Sequence, residues 1–284
     1  MELYQPFYQP PQDSFLDISE KAQQEKDEKS AETWYQLGCR YQENEYGKAA
    51  INAFDKSVQR DPSLTDAWLG LAVSYTNEKC PDKVYDSLEK WIENHPNYQY
   101  LAKHYEYMDN ERHDIITSLF LDAARSSPGE GMDPDIQICL GILFTLSGEH
   151  DKVIDCFKAA LASKPEDFLL WNKLGATLAH SQDMEGALEI YFHALELNPN
   201  SVRVRYNIAF SCMRLGQHKE AVEHLLIALT LRQRNIAKIH PKIPVTQDSL
   251  WNTLKMLMYI LNNDELAIHC DTQNLDAFRV KYEF

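Results

Sequence analysis

Amide and cationic side chains recur at matched places along this chain: Asn77, then Asn172 with Lys173, then Arg203, Asn207 and Arg214. An asparagine side chain can donate to and accept from a peptide backbone at once. Arginine and lysine hold carboxylates, arginine as a two-pronged donor. Gathered on one surface, such residues would bind an extended peptide and its terminal carboxylate. Catalysis has no comparable signature. The chain lacks the phosphate-binding G-x-x-x-x-G-K-[ST], the zinc motif H-E-x-x-H and the nucleophile elbow G-x-S-x-G. Its 10 histidines show no ligand spacing on one helix face, and His218 and His224 point in different directions. The 6 cysteines form no C-x-x-C, and most fall on apolar stretches, the pattern of buried reduced thiols.

The elements that must position these residues repeat. Ala31 and Thr65 stand 34 residues apart and open two matching series. The first reads Trp34, Leu37, Gly38, Tyr41, Ala50, Phe54, Ser57, Pro62. The second reads Trp68, Leu71, Ala72, Tyr75, Val84, Leu88, Trp91, Pro96. Further units open at Pro134, Phe168 and Val202, with Gly141, Gly175 and Ala209 at position 8 and Pro165 and Pro199 at position 32. Between them, 99–133 is degenerate and fits only in its second half, through Phe120, Ala123 and Pro128. This is the tetratricopeptide (TPR) pattern, in which each unit is a helical hairpin. Small residues at positions 8 and 20 let helices approach closely, and proline is tolerated where one helix stops and the next begins. One hairpin cannot bury its apolar face alone, so stability comes from stacking.

The expected architecture is therefore all-α: a right-handed TPR solenoid over 31–235, preceded by a flexible segment, 1–30, able to supply one capping helix. A loop and C-terminal helical cap would follow over 236–284, with one helix near Ser249–Ile260. The formal net charge of -15 disfavours nucleic acid and anionic membranes and favours basic partners. No apolar run approaches the ~20 residues of a membrane span, and the N-terminus carries no secretory signal.

In such a solenoid the first helix of each hairpin lines the concave side, and steps of three and four keep positions 2, 5, 6, 9, 12 and 13 on that face. Those positions hold Val73, Thr76 and Asn77; Asp135 and Thr145; Asn172, Lys173, Ala176 and His180; then Arg203, Asn207 and Arg214, with Ser211 just off the stripe.

At these residues the chain resembles a known family. Segments 71–78 (LAVSYTNE), 133–161, 169–179 (LLWNKLGATLA), 202–226 and 249–261 are similar to the C-terminal TPR half of the receptor for the type-1 peroxisomal targeting signal. The likeness covers about residues 31–270, degenerate unit included. It implies a groove that captures a cargo C-terminus of the Ser-Lys-Leu type. Asn77, Asn172, Arg203 and Asn207 would then bind the peptide backbone and terminal carboxylate, with Thr76, Val73, Lys173, Ala176 and Ser211 completing the pocket. Glu78 and the general acidity would favour the basic penultimate residue. Two groove positions depart from the family's asparagines, His180 and Arg214.

On this resemblance the family's first repeat is expected to be absent or reduced to a fragment before Ala31, and its long N-terminal half to be missing. No tryptophan begins a W-x-x-x-F/Y docking motif, and no cysteine lies near the N-terminus. The expectation is a cytoplasmic, non-enzymatic receptor that carries cargo and cycles to the peroxisome, meeting docking proteins there and needing no cofactor or metal. A scaffold that keeps the fold but no longer reads cargo ends is the alternative. A clamp for acidic C-terminal tails does not fit, since it needs Lys and Asn where Asn172 and Ala176 stand.

Overall fold

The computed structural model describes residues 30–103, 111–126, 132–239 and 249–284. Helical hairpins stack one on the next. They are α1 (Ala31–Glu43) with α2 (Gly47–Arg60) and α3 (Thr65–Asn77) with α4 (Pro81–Asn94). After the middle unit come α7 (Pro134–Ser147) with α8 (His150–Ser163), α9 (Phe168–His180) with α10 (Met184–Leu197), and α11 (Val202–Arg214) with α12 (His218–Ile239). The chain is an all-helical TPR solenoid. The expected N-terminal segment lies outside the described residues apart from Ser30.

Short polar side chains set the helix starts. Ser30, Asp167, Asp183 and Ser201 each accept from the backbone N–H three residues on, satisfying one donor the first turn leaves open. Pro81 and Pro134 occupy first-turn positions where no N–H is needed.

Packing between the two helices of each hairpin explains the repeat letters. A methyl group placed on Gly38, Gly141 or Gly175 would meet the ring of Phe54, Phe157 or Tyr191 at 2.5–2.6 Å. Where position 24 is a leucine, Leu88 or Leu225, position 8 carries that methyl as Ala72 or Ala209, and all four are buried. Positions 8 and 24 are therefore a complementary pair. A second tie joins neighbouring units. Trp68 Nε1 donates to the Pro62 carbonyl at 2.9 Å, and Trp171 Nε1 to that of Pro165 at 2.7 Å. Arg205, standing where the tryptophan would, reaches the Pro199 carbonyl at 3.1 Å.

The middle unit keeps a four-residue helix, α5 (Gln99–Ala102), and a full second helix, α6 (Arg112–Arg125). With so short a first helix, α3 packs directly on α7. Tyr98, fully buried, stacks on Trp91 and donates to Asp133 Oδ2 at 2.8 Å, spanning the junction.

At the far end, α12 runs to Ile239, past the boundary expected near 235. No proline stops it where Pro62, Pro96, Pro165 and Pro199 follow the earlier second helices. Helices α13 (Ser249–Ile260) and α14 (Asp264–Asp271) and a 3-10 turn (Leu275–Val280) cap the stack, burying Leu250, Leu254, Leu257 and Phe278 in one cluster with Leu225 and Leu229. Four cysteines are buried as expected, Cys39 is half-buried, and Cys80, just ahead of α4, is exposed.

The complementary pairing gives a test. Gly175→Ala should destabilise the native chain, because overpacking costs typically 1–3 kcal/mol. In a Tyr191→Leu background the same change should stabilise, because the clash is gone and alanine gains up to ~1 kcal/mol of helix propensity. Urea unfolding of the two pairs of variants reads this reversal of sign.

Candidate peptide-binding site

Helices α9 and α11 carry most of the residues expected to line the groove. Each starts on a side-chain cap, Asp167 or Ser201, which fixes where its first inward residues fall. Asn172 is 5% exposed, and its Oδ1 accepts from Asn207 Nδ2 at 2.8 Å. The two asparagines thus join neighbouring repeats, leaving the Asn172 amide nitrogen and the Asn207 oxygen to serve a third party.

Lys173 is half-buried beside them. Burial first, and the charge of Arg203 second, push its amine down to about 8, with Asp167 opposing the shift. Ser211, one turn beyond Asn207, is fully buried, and its hydroxyl has no hydrogen-bond partner among the described residues. Ala176 lies half-buried on the same face as Lys173.

Arg203 reaches away from its own repeat. Its Nη2 donates to the carbonyl of Gln42 at 3.2 Å, and its Nε lies 2.8 Å from Glu45 Oε1. The Nε contact is an ion pair without the alignment of a hydrogen bond. Next to it, Arg232 Nε donates to the Tyr46 hydroxyl at 3.2 Å with its guanidinium over the ring, and Asn235 Nδ2 donates to Asn44 Oδ1 at 2.6 Å. The solenoid therefore closes on itself: the α1–α2 turn meets α11 and the overlong end of α12.

Helix α3 supplies the other predicted residues. Val73 is buried, and the Thr76 hydroxyl donates to the Ala72 carbonyl at 2.7 Å. Asn77 and Glu78, at the end of α3, are exposed, and the Glu78 carboxylate sits over Gly47 at the start of α2. No hydrogen bond or ion pair links these four to the α9–α11 cluster among the described residues. His180 and Arg214 are exposed at the far ends of α9 and α11. Eleven residues separate Arg214 from Arg203, about 16 Å along the axis. His180 borders an open hollow of about 700 Å³ with Glu149, Asp151 and Gln182. Asp135 is drawn into an ion pair with Lys164 at 2.6 Å.

Two kinds of residue escape the sequence reading. Phe210 is 42% exposed at position 9, in line with Arg203, Asn207 and Arg214; its register alone identifies it. Gln42, at position 12 of the first unit, is likewise identified by register alone, whereas Glu45 lies in the turn after α1, off the inward stripe, so no periodicity marks it.

A family profile described as "Tetratricopeptide repeat" matches residues 31–64, and one described as "Domain of unknown function (DUF7017)" matches 139–256. Among solved structures the chain is similar to the APC/C hetero-tetramer Cut9-Hcn1, at 19% identity and TM-score 0.44, covering 87% of this chain and 46% of that one. It is also similar to MamA, at 18% identity and TM-score 0.37, covering 71% of this chain and 97% of that one. Curated relatives are more alike in sequence. The peroxisomal targeting signal receptor of Candida albicans is 38% identical over 92% of this chain and 45% of its own length. That of Saccharomyces cerevisiae is 34% identical over 89% and 43%. The peroxisomal targeting signal 1 receptor of Dictyostelium discoideum is 36% identical over 94% and 41%.

Repeat pattern and fold define a TPR protein with a polar, cation-bearing concave face. Within that class the chain belongs to the peroxisomal targeting signal receptor family. It spans about half the length of the curated relatives it matches. Membership points to a non-catalytic protein with a peroxisome-related role, and no helix among the described residues is long and apolar enough to cross a membrane.

The Lys173 amine provides a direct check on this geometry. Its pKa should lie near 8 in the free protein, and Arg203→Met should raise it by removing a nearby positive charge. An NMR pH titration of labelled lysine side chains measures both.

Proposed function

We propose that this chain is the cargo-recognition part of a peroxisomal import receptor, binding the C-terminal Ser-Lys-Leu-type tripeptide of proteins bound for the matrix. The observation that carries the reading is the Asn172–Asn207 pair set beside Lys173 and Arg203 on neighbouring helices. The paired amides keep one donor group and one acceptor for the backbone of an extended peptide. Two half-buried cations supply the charge for its terminal carboxylate. Half-buried Ala176 and the exposed ring of Phe210 offer apolar surface on the same two helices and Ser211 a polar group, and α3 would add Val73, Thr76 and Asn77. Glu78 and the net charge of -15 favour a basic penultimate residue. His180 and Arg214 stand further along the same helices, where residues upstream of the tripeptide would pass. On this reading the receptor loads in the cytoplasm, meets docking proteins at the peroxisome and returns.

Titration into a fluorescent peptide ending in Ser-Lys-Leu, followed by anisotropy, should give micromolar or tighter binding of the free acid and loss on C-terminal amidation. Failure to bind either form would leave a TPR scaffold that does not read chain ends. Asn207→Ala should weaken binding by about 1–3 kcal/mol, since it leaves buried polar groups unpaired; urea unfolding of the same variant separates this from loss of fold. Affinity for the free acid should also fall as pH rises through about 8, where Lys173 gives up its proton. Proton uptake on binding, read by calorimetry in buffers of different ionisation enthalpy, checks the same linkage.

A further inference from the structure

We propose that the turn Asn44–Glu45–Tyr46 of the first hairpin is a wall of the peptide site, with Glu45 as the residue that positions Arg203 for a terminal carboxylate. The inference rests on the reading just given and names a residue outside the concave stripe.

Three successive residues of this turn each engage a different residue of the last repeat: Asn44 with Asn235, Glu45 with Arg203, Tyr46 with Arg232. Glu45 holds its place at a backbone cost. Its φ is +65°, the left-handed region that favours glycine. The turn is held from within as well, because buried Asn44 donates its amide to the Arg40 carbonyl at 2.9 Å. The same turn position is left-handed at Lys79, Gly148, Gln182 and Gly216; what is particular here is that the carboxylate is held toward the last repeat between two further pairings.

The geometry at Arg203 shows what the contact accomplishes. A guanidinium presents donors on fixed edges. Glu45 and the Gln42 carbonyl occupy the Nε side, at 2.8 and 3.2 Å. The second terminal nitrogen, Nη1, and the outer edge it shares with Nη2 remain for a ligand. Held this way, an otherwise flexible arginine loses little further rotamer freedom when a carboxylate arrives. Glu45 also offsets part of the charge that Arg203 and Lys173 would otherwise place side by side, which makes it possible to keep two cations in one half-buried site. Arg203 and Lys173 therefore read a carboxylate from a preset geometry, and the first hairpin takes part in binding through Arg203.

Two variants test this. Glu45→Gln keeps the shape and removes the charge. Glu45→Gly removes the side chain and relieves the left-handed backbone, so loss of fold is not its expected effect. Each is titrated against the Ser-Lys-Leu free acid and its amide. In both variants the preference for free acid over amide should shrink by roughly ten-fold, with amide affinity unchanged, since only the charge-assisted contact is affected. Undiminished preference in the variants, against a wild-type chain that discriminates, overturns the positioning role alone. Tighter binding of the free acid by Glu45→Gly also overturns it, by showing that Glu45 competes for Arg203. A wild-type chain that does not distinguish acid from amide overturns the underlying reading, and this inference with it.

Discussion

Everything in this molecule hangs on how closely two helices of one hairpin can approach. Gly38, Gly141 and Gly175 admit an aromatic ring from the partner helix, while Ala72 and Ala209 admit a leucine. That choice sets the spacing inside each hairpin, and the indole and guanidinium ties to Pro62, Pro165 and Pro199 set the step to the next. With both fixed, every first helix presents the same register positions inward. Asn172 and Asn207 meet at 2.8 Å because stacking carries 172 and 207 to facing places on adjacent helices.

The shortened middle unit and the lengthened last helix bend this regular stack into a closed form. Across the middle unit, where α5 is four residues long, α3 packs against α7. At the other end, the absent proline lets α12 continue until Arg232 and Asn235 reach the first turn. The ties that close the circle are polar and few, in contrast to the apolar clusters between neighbouring hairpins. Closure thus depends on particular side chains, whereas the hairpin stack depends on bulk burial.

Much of the fold was legible from sequence because its determinants are periodic. Leu37, Gly38, Phe54 and Pro62 recur one unit later as Leu71, Ala72, Leu88 and Pro96, and the hairpins follow. The degenerate unit was also visible, through Phe120 and Ala123, both fully buried on α6. The candidate groove was legible in part. Asn172, Lys173 and Asn207 come together as their positions predict, whereas the partners of Arg203 could not be foreseen. Gln42 lies 161 residues earlier, and Glu45 sits in a turn whose left-handed conformation recurs at Lys79, Gly148, Gln182 and Gly216, so the pattern does not single out its carboxylate. The extent of α12 was misjudged because basic residues after Arg232 look like loop, although they serve a helix equally well once no proline stops it.

The closed outline has a topological consequence. An open superhelix can be laid along any stretch of a polypeptide, middle or end. A ring cannot: without opening its clasp, it admits a chain only by threading a free terminus or by accepting a doubled-back loop, which is far wider than a single strand. On the proposed reading, the contacts of Asn44, Glu45 and Tyr46 would act on selection before any side chain is read, by favouring the ends of chains over their middles.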